Sequence, residues 1–119
     1  AVDNERPIFV QVAQRLEDAI LTGAMEEESQ VPSINELAMF YRINPATALK
    51  GVNLLVDAGV LYKKRGIGMF VAQGARARLT EERRVEFAER YVRPLAAQAA
   101  ALGLTAAQVQ HLITQEMET

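Results

Sequence analysis

The residues of this sequence best suited to chemistry are hydrogen-bond donors and cations rather than nucleophiles or metal ligands. Lys63, Lys64 and Arg65 stand in a row and run straight into Gly66-Ile67-Gly68, while Thr47, Lys50 and Asn53 lie upstream. Residues of these types neutralise phosphate and hydrogen-bond to base edges. Bond-breaking chemistry has no comparable support. His111 is the only histidine, cysteine is absent, and Ser29 and Ser33 sit in no nucleophile motif. The scattered carboxylates form no recognisable acid and base pair. His111 therefore reads as a helix-surface or interface residue, and neither a metal site, a cofactor nor enzymatic catalysis is expected. Gly66-x-Gly68 invites a phosphate-loop reading, but such a loop needs a helix after it, and a strand pattern follows.

The elements that must position these donors lie between Val31 and Asp57. Ser33 with Glu36 three residues later fits a capping box, which satisfies free backbone N–H groups at a helix start. Asn44-Pro45 marks a second start, with the amide as N-cap and proline at the first helical position. Two short helices joined by a tight turn near Arg42 to Asn44 form a helix-turn-helix pattern. In the first of them Ile34, Leu37, Ala38 and Tyr41 are expected to face inward. The second, from Pro45 to about Ala58, has Ala48, Val52, Leu55 and Val56 on its buried face and ends at Gly59. Its other face offers Ala46 and Thr47, small enough for close approach to a groove, then Lys50 and Asn53, which suit phosphate, guanine or adenine. Taken alone, this segment is also compatible with an ordinary amphipathic core helix.

Around this pair the chain reads as follows. Ile8, Val12, Leu16, Ala19 and Ile20 make one face of a first helix, roughly Ile8 to Thr22, stopped at Gly23. Gly23 to Gln30 is a polar, acidic connection, and the run Glu26-Glu27-Glu28 is assigned no role beyond solvation. After Gly59, Val60-Leu61-Tyr62 and Met69-Phe70-Val71 flank a glycine-containing turn and predict a β-hairpin with the three cations at its tip. Such a tip can lie along the DNA backbone or enter the minor groove; an isolated basic run is otherwise a solubilising turn. Gln73 to Leu79 looks like a linker, because Ala75-Arg76-Ala77-Arg78 offers no apolar face. Thr80 then caps a longer helix whose Val85, Ala88, Val92, Leu95, Ala99 and Leu102 recur at heptad-like spacing, widened by Phe87 and Tyr91. Pro94 should kink it. Thr105 with Gln108 starts a last helix with Val109, Leu112, Ile113 and Met117 on one face.

The expected architecture is thus mainly α with a small β-hairpin: a winged helix-turn-helix domain over residues 1–74, then a C-terminal helical hairpin over 75–119. That hairpin is too small to hold its own core. Either it packs back on the first three helices or it pairs with a second copy, through Val85, Ala88, Tyr91, Val92, Leu95, Ala99, Leu102, Val109, Leu112 and Ile113. A two-fold dimer is the preferred reading, since palindromic operators call for one.

The net charge of −2 argues mildly against nucleic acid, but its distribution favours it. From Arg42 to Arg65 there are five cations against Asp57 alone, while acids gather at Asp3, Glu5, Glu17, Asp18 and Glu26 to Glu28. No apolar run approaches the length of a membrane helix and the start carries no export pattern, so a cytoplasmic location is expected. Ala1 in first position points to processing or trimming.

In this order and spacing, PSINELA, INPATALKGVNLLVDAGVL and KKRGIGMFV resemble the winged helix-turn-helix domain of GntR-family transcriptional regulators, in detail from about Pro7 to Val71. The NPAT segment, the KRGIG wing and the short tail most resemble the YtrA-like subfamily. The resemblance implies DNA contacts at Ser33, Asn35, Asn44, Ala46, Thr47 and Lys50, and at Lys64, Arg65 and Gly66 of the wing. Asn35 stands where the family usually places an arginine, and Leu49 where a polar residue is more usual; Leu49 implies an apolar contact, such as a thymine methyl, or simply more core. The resemblance further implies a homodimeric repressor of an inverted-repeat operator, modulated by a small effector bound at a dimer crevice or between tail and winged domain. The linker and the Pro94 kink would then be the places where half-site spacing changes. The competing readings are a winged-helix module that binds protein rather than DNA, and an enzyme subunit or regulatory fragment of a larger chain.

Overall fold

The computed structural model describes residues 6–119; Asp3 and Glu5 of the expected acidic group, and Ala1, lie outside the described residues. The helices are α1 (Ile8–Thr22), α2 (Ile34–Tyr41), α3 (Pro45–Asp57), α4 (Ala75–Phe87), α5 (Arg93–Ala101) and α6 (Ala106–Met117), with strands β1 (Leu61–Lys64) and β2 (Gly68–Val71) between α3 and α4. Two compact units divide between Thr80 and Glu81.

In the first unit, α1 buries Val12, Ala13, Leu16 and Ile20. Ile8, expected on that face, is instead exposed at the first turn, and Ala13 takes up the stripe. Gly23 stops α1 in the left-handed conformation, and the Met25 N–H closes the end by donating to the Ala19 carbonyl at 2.9 Å. Leu37 and Ala38 of α2 and Ala48, Val52 and Leu55 of α3 complete the helical core, with Ile34, Tyr41 and Val56 half-buried against it. Val31, Val60, Leu61 and Val71 close it from the sheet side.

β1 and β2 pair antiparallel with Tyr62 opposite Phe70 and Lys64 opposite Gly68. Residues 28–31, expected as a plain connection, add a third edge. Gln30 bridges Phe70, the Val31 N–H donates to the Met69 carbonyl at 2.8 Å, and the Val71 N–H to the Ser29 carbonyl at 3.0 Å. This short stretch satisfies the outer backbone groups of β2, which alternation in sequence did not signal.

The expected linker is a correction. α4 begins at Ala75, not at Thr80, and Ala75 and Leu79 are buried in the winged unit's core at helical i, i+4 spacing. The Thr80 hydroxyl donates to the Arg76 carbonyl within the helix instead of capping it. In the second unit α4 continues into a π turn at Ala88–Val92, where the Arg93 N–H reaches back to the Ala88 carbonyl, and α5 follows with Pro94 in its first turn. The proline's missing N–H is accommodated by that widened turn. Thr105 and Gln108 form the expected reciprocal capping box at the start of α6.

Candidate nucleic-acid interface

The interface is built from helix starts. Ser33 caps α2: its hydroxyl accepts from the Glu36 N–H at 3.1 Å while the Glu36 carboxylate accepts from the Ser33 N–H at 3.0 Å. Asn44 caps α3, its side-chain oxygen accepting from the Ala46 N–H at 2.8 Å, with Pro45 at the first helical position. Between them Arg42 adopts the left-handed conformation, φ +56°, and the Ile43 N–H returns to the Ala38 carbonyl at 2.9 Å. This three-residue reversal joins α2 to α3 within one compact unit. Ser33, Asn35, Asn44, Ala46 and Lys50 are exposed and Thr47 is half-buried. Leu49 is also exposed, so it is not extra core and stands as an apolar group on the solvent side of α3.

The two bonds to Ser33, backbone first and hydroxyl second, hold the Glu36 carboxyl below the usual carboxylate range. The folded value is the lowered one, so the box contributes fully above the ordinary Glu value and is lost as pH falls through the folded value. Ser33→Ala should cost about 1 kcal/mol near neutrality. In Glu36→Gln, by contrast, the melting temperature should fall less than the wild type's as pH drops through the folded value of Glu36, because the acid-sensitive carboxylate is gone.

The wing carries its cations as expected, with Lys63, Lys64, Arg65 and Gly66 all exposed. Tyr62 and Phe70 stack across the strands at 5.9 Å, and the Lys64 ammonium lies 4.4 Å from the Phe70 ring centroid. The Lys50 ammonium similarly sits 4.1 Å from the Phe9 ring. Both cations are steered by aromatic faces while remaining open to an anion. Gly66, φ +78°, makes the turn that a side chain would strain. The Tyr62 hydroxyl donates to Glu28, which raises the tyrosine's pKa through that hydrogen bond.

The acidic run therefore has a structural part that the sequence did not reveal. Glu28 receives Tyr62, and Glu27 receives the backbone N–H groups of Gly74 at 2.8 Å and Arg76 at 3.2 Å. Glu27 is thus an N-terminal cap for α4 supplied from 47 residues away.

Two helices around a tight reversal, followed by a cation-bearing hairpin, define a winged helix-turn-helix protein of the DNA-binding class. The family model for bacterial regulatory proteins of the gntR family matches residues 9–71, and the chain belongs to that family. It is 32% identical over 75 residues to the HTH-type transcriptional repressor YtrA of Bacillus subtilis, covering 63% of this chain and 58% of that protein. It spans only about a quarter of the length of longer repressors it also matches. The crystal structure of a GntR-family regulator from Bacteroides thetaiotaomicron superposes with a TM-score of 0.78 at 32% identity, covering 94% of this chain and 97% of that one. The DNA-binding domain of AraR in complex with operator ORX1 matches with a TM-score of 0.55 at 31% identity, over 56% of this chain and 81% of that one. Among the described residues, no helix is long and apolar enough to cross a membrane.

Proposed function

We propose that this chain is a homodimeric repressor that reads an inverted-repeat operator through α3 and the wing, and that a small effector modulates it. The observation that carries the reading is that the two capped helix starts, at Ser33 and Asn44, and the cations Lys50, Lys64 and Arg65 are all exposed on the same compact unit. Ser33, Asn35, Asn44, Ala46, Thr47 and Lys50 are assigned to the major groove and its flanking phosphates, and Lys64, Arg65 and Gly66 to the backbone or minor groove.

Pairing is supported by the second unit. Of residues 81–119 only Ala99 is buried, while Val85, Tyr91, Val92, Leu95, Leu102, Leu112 and Ile113 are exposed, Leu102 at 73%. Such a helical pair cannot hold a core alone, and a second copy supplies the missing half. Leu95→Glu combined with Leu112→Glu should convert a dimer to a monomer in light scattering; an unchanged mass would remove this face from the interface. An open groove of about 420 Å³ lined by Leu104, Ala107, Gln108, His111 and Leu112 offers an effector an apolar wall with one titratable group. In this reading the pairing domain, expected from the sequence to begin at residue 75, takes Glu81 onward, because the first turn of α4 packs Ala75 and Leu79 into the winged unit.

A second reading, a winged-helix module that meets another protein, is favoured by Met39 and Phe40, which stand 80% and 79% exposed on α2. Selection of bound fragments from random DNA tests the first reading. Enrichment of an inverted repeat supports it, and equal or absent binding on all fragments favours the second.

A further inference from the structure

We infer that Gln30 and Glu28 are positioning residues that tie the turn of the wing to the start of α2, so that the wing cations and the Ser33 cap meet DNA in one fixed arrangement. The inference rests on the DNA-binding reading above. All of its contacts lie within the first compact unit, and it needs no second copy. A two-stranded hairpin is marginal by itself, and β1 and β2 have only four residues each. Their ladder ends at the pair Lys64 and Gly68, so the turn that carries Arg65 and Gly66 lies beyond it. The Ile67 N–H closes that turn by donating to the Lys64 carbonyl at 3.0 Å, and the Ile67 carbonyl in turn accepts from the Gln30 Nε2 at 3.0 Å.

The room for this amide comes from Gly68, at φ +145°, where a Cβ would stand 2.6 Å from the Gln30 Nε2. Backbone pairing holds the same stretch along β2: the Glu28 N–H donates to the Val71 carbonyl and the Val31 N–H to the Met69 carbonyl, both at 2.8 Å. Glu28 is left-handed at φ +65°, a conformation that residues with a Cβ rarely adopt, and its carboxylate receives the Tyr62 hydroxyl of β1. Backbone strain of this kind persists where the surrounding contacts hold it in place.

Gln30 stands three residues ahead of Ser33, separated from it by the buried Val31 and by Pro32, whose ring fixes its φ. One short stretch thus grips the wing's turn at one end and caps α2 at the other. A hairpin free to pivot would still offer Lys64 and Arg65, but it would lose that freedom on binding, at a cost in affinity.

The test is a double-mutant cycle in the full chain. Gln30→Met keeps the length of the side chain and removes its donor. Tyr62→Phe keeps the ring beside Phe70 and removes the hydroxyl that meets Glu28. Each is combined with Lys64→Gln/Arg65→Gln, and all are titrated at about 0.15 M salt against a duplex carrying one half-site from the random-DNA selection, with melting temperatures alongside. In the wild-type background the two glutamines should cost about 25-fold, two phosphate contacts at about fivefold each. In Gln30→Met they should cost less than about fivefold, because the wing no longer presents its cations in register, and Tyr62→Phe should fall between. Equal losses in all three backgrounds would overturn the inference even if the variants melt earlier, since contacts that only stabilise the fold leave the wing's share of binding intact. Glutamines without effect in the wild type would overturn it too, by removing the wing from the interface while leaving α3 as the reader. A wild type that binds no duplex overturns the DNA-binding reading itself, and the absence of any starting affinity separates that case from the others. Because Gln30 and Tyr62 act through separate bonds, a variant that failed to fold would leave the other to decide.

Discussion

Gly51→Ala should lower the melting temperature by about 10 °C and weaken DNA binding, although alanine is the better helix former. Gly51 is buried in α3 where it crosses α1. A Cβ built there would lie 2.7 Å from the Phe9 carbonyl oxygen and 3.2 Å from the Val12 Cβ. The first of these is backbone inside α1 and cannot rotate away. Replacing glycine by alanine within a helix gains about 1 kcal/mol. Overpacking a core costs up to about 3 kcal/mol, and a clash with a fixed carbonyl belongs at the upper end. The net loss is then about 2 kcal/mol, which for a unit of this size corresponds to the stated shift. Binding should suffer as well, because α1 must retreat and it carries the Phe9 ring that steers Lys50. Thermal melts of Gly51→Ala and Gly51→Val, with the valine variant lower still, check this. An unaltered Gly51→Ala melt would mean that the two helices do not meet at this distance.

What was legible in the sequence is what is local. Ser33 with Glu36, Asn44 with Pro45 and Thr105 with Gln108 each act within a turn of chain, so type and spacing named both the residues and their bonds. The wing was legible because β-branched and aromatic residues alternate around a glycine turn. The misses share one cause. Glu27 looked like a solvated acid and Arg76 and Arg78 like linker charges, because their partners lie 20 to 55 residues away in the chain. Ala75 and Leu79 are too sparse an apolar pair to announce a helix, and only the fold beneath them makes them core. Gly51 carried no signal at all, since a glycine that marks close helix approach resembles one that merely lowers propensity. At Pro94, expected to kink the helix, the α-helical bonding gives way to a π turn just ahead of the proline, which its sequence position did not foretell. For the candidate interface the sequence named the donors. Their arrangement around the Arg42 reversal, and the aromatic rings beneath Lys50 and Lys64, needed the fold.

Replacing Lys50, Lys64 and Arg65 together by glutamine should weaken binding to a single half-site by about two orders of magnitude at physiological salt. Each phosphate neutralised contributes about 0.9 to the dependence of log affinity on log salt, a factor of about five at 0.15 M. Three such contacts multiply to about a hundredfold and should flatten the slope by nearly three. Folding should be little affected, because all three side chains are exposed. The three are not equivalent. Lys50 and Lys64 are held over the Phe9 and Phe70 rings, so less side-chain freedom is lost when they meet phosphate. Arg65 begins the turn itself, and its planar fork suits bidentate phosphate contact. Single substitutions should therefore each remove about one unit of slope, with Arg65→Lys retaining the slope while losing the second hydrogen bond. Fluorescence anisotropy titrations from about 0.05 to 0.3 M salt measure both quantities at once. A loss of affinity at constant slope would show that these cations act on groups other than phosphate and would move the interface away from the wing.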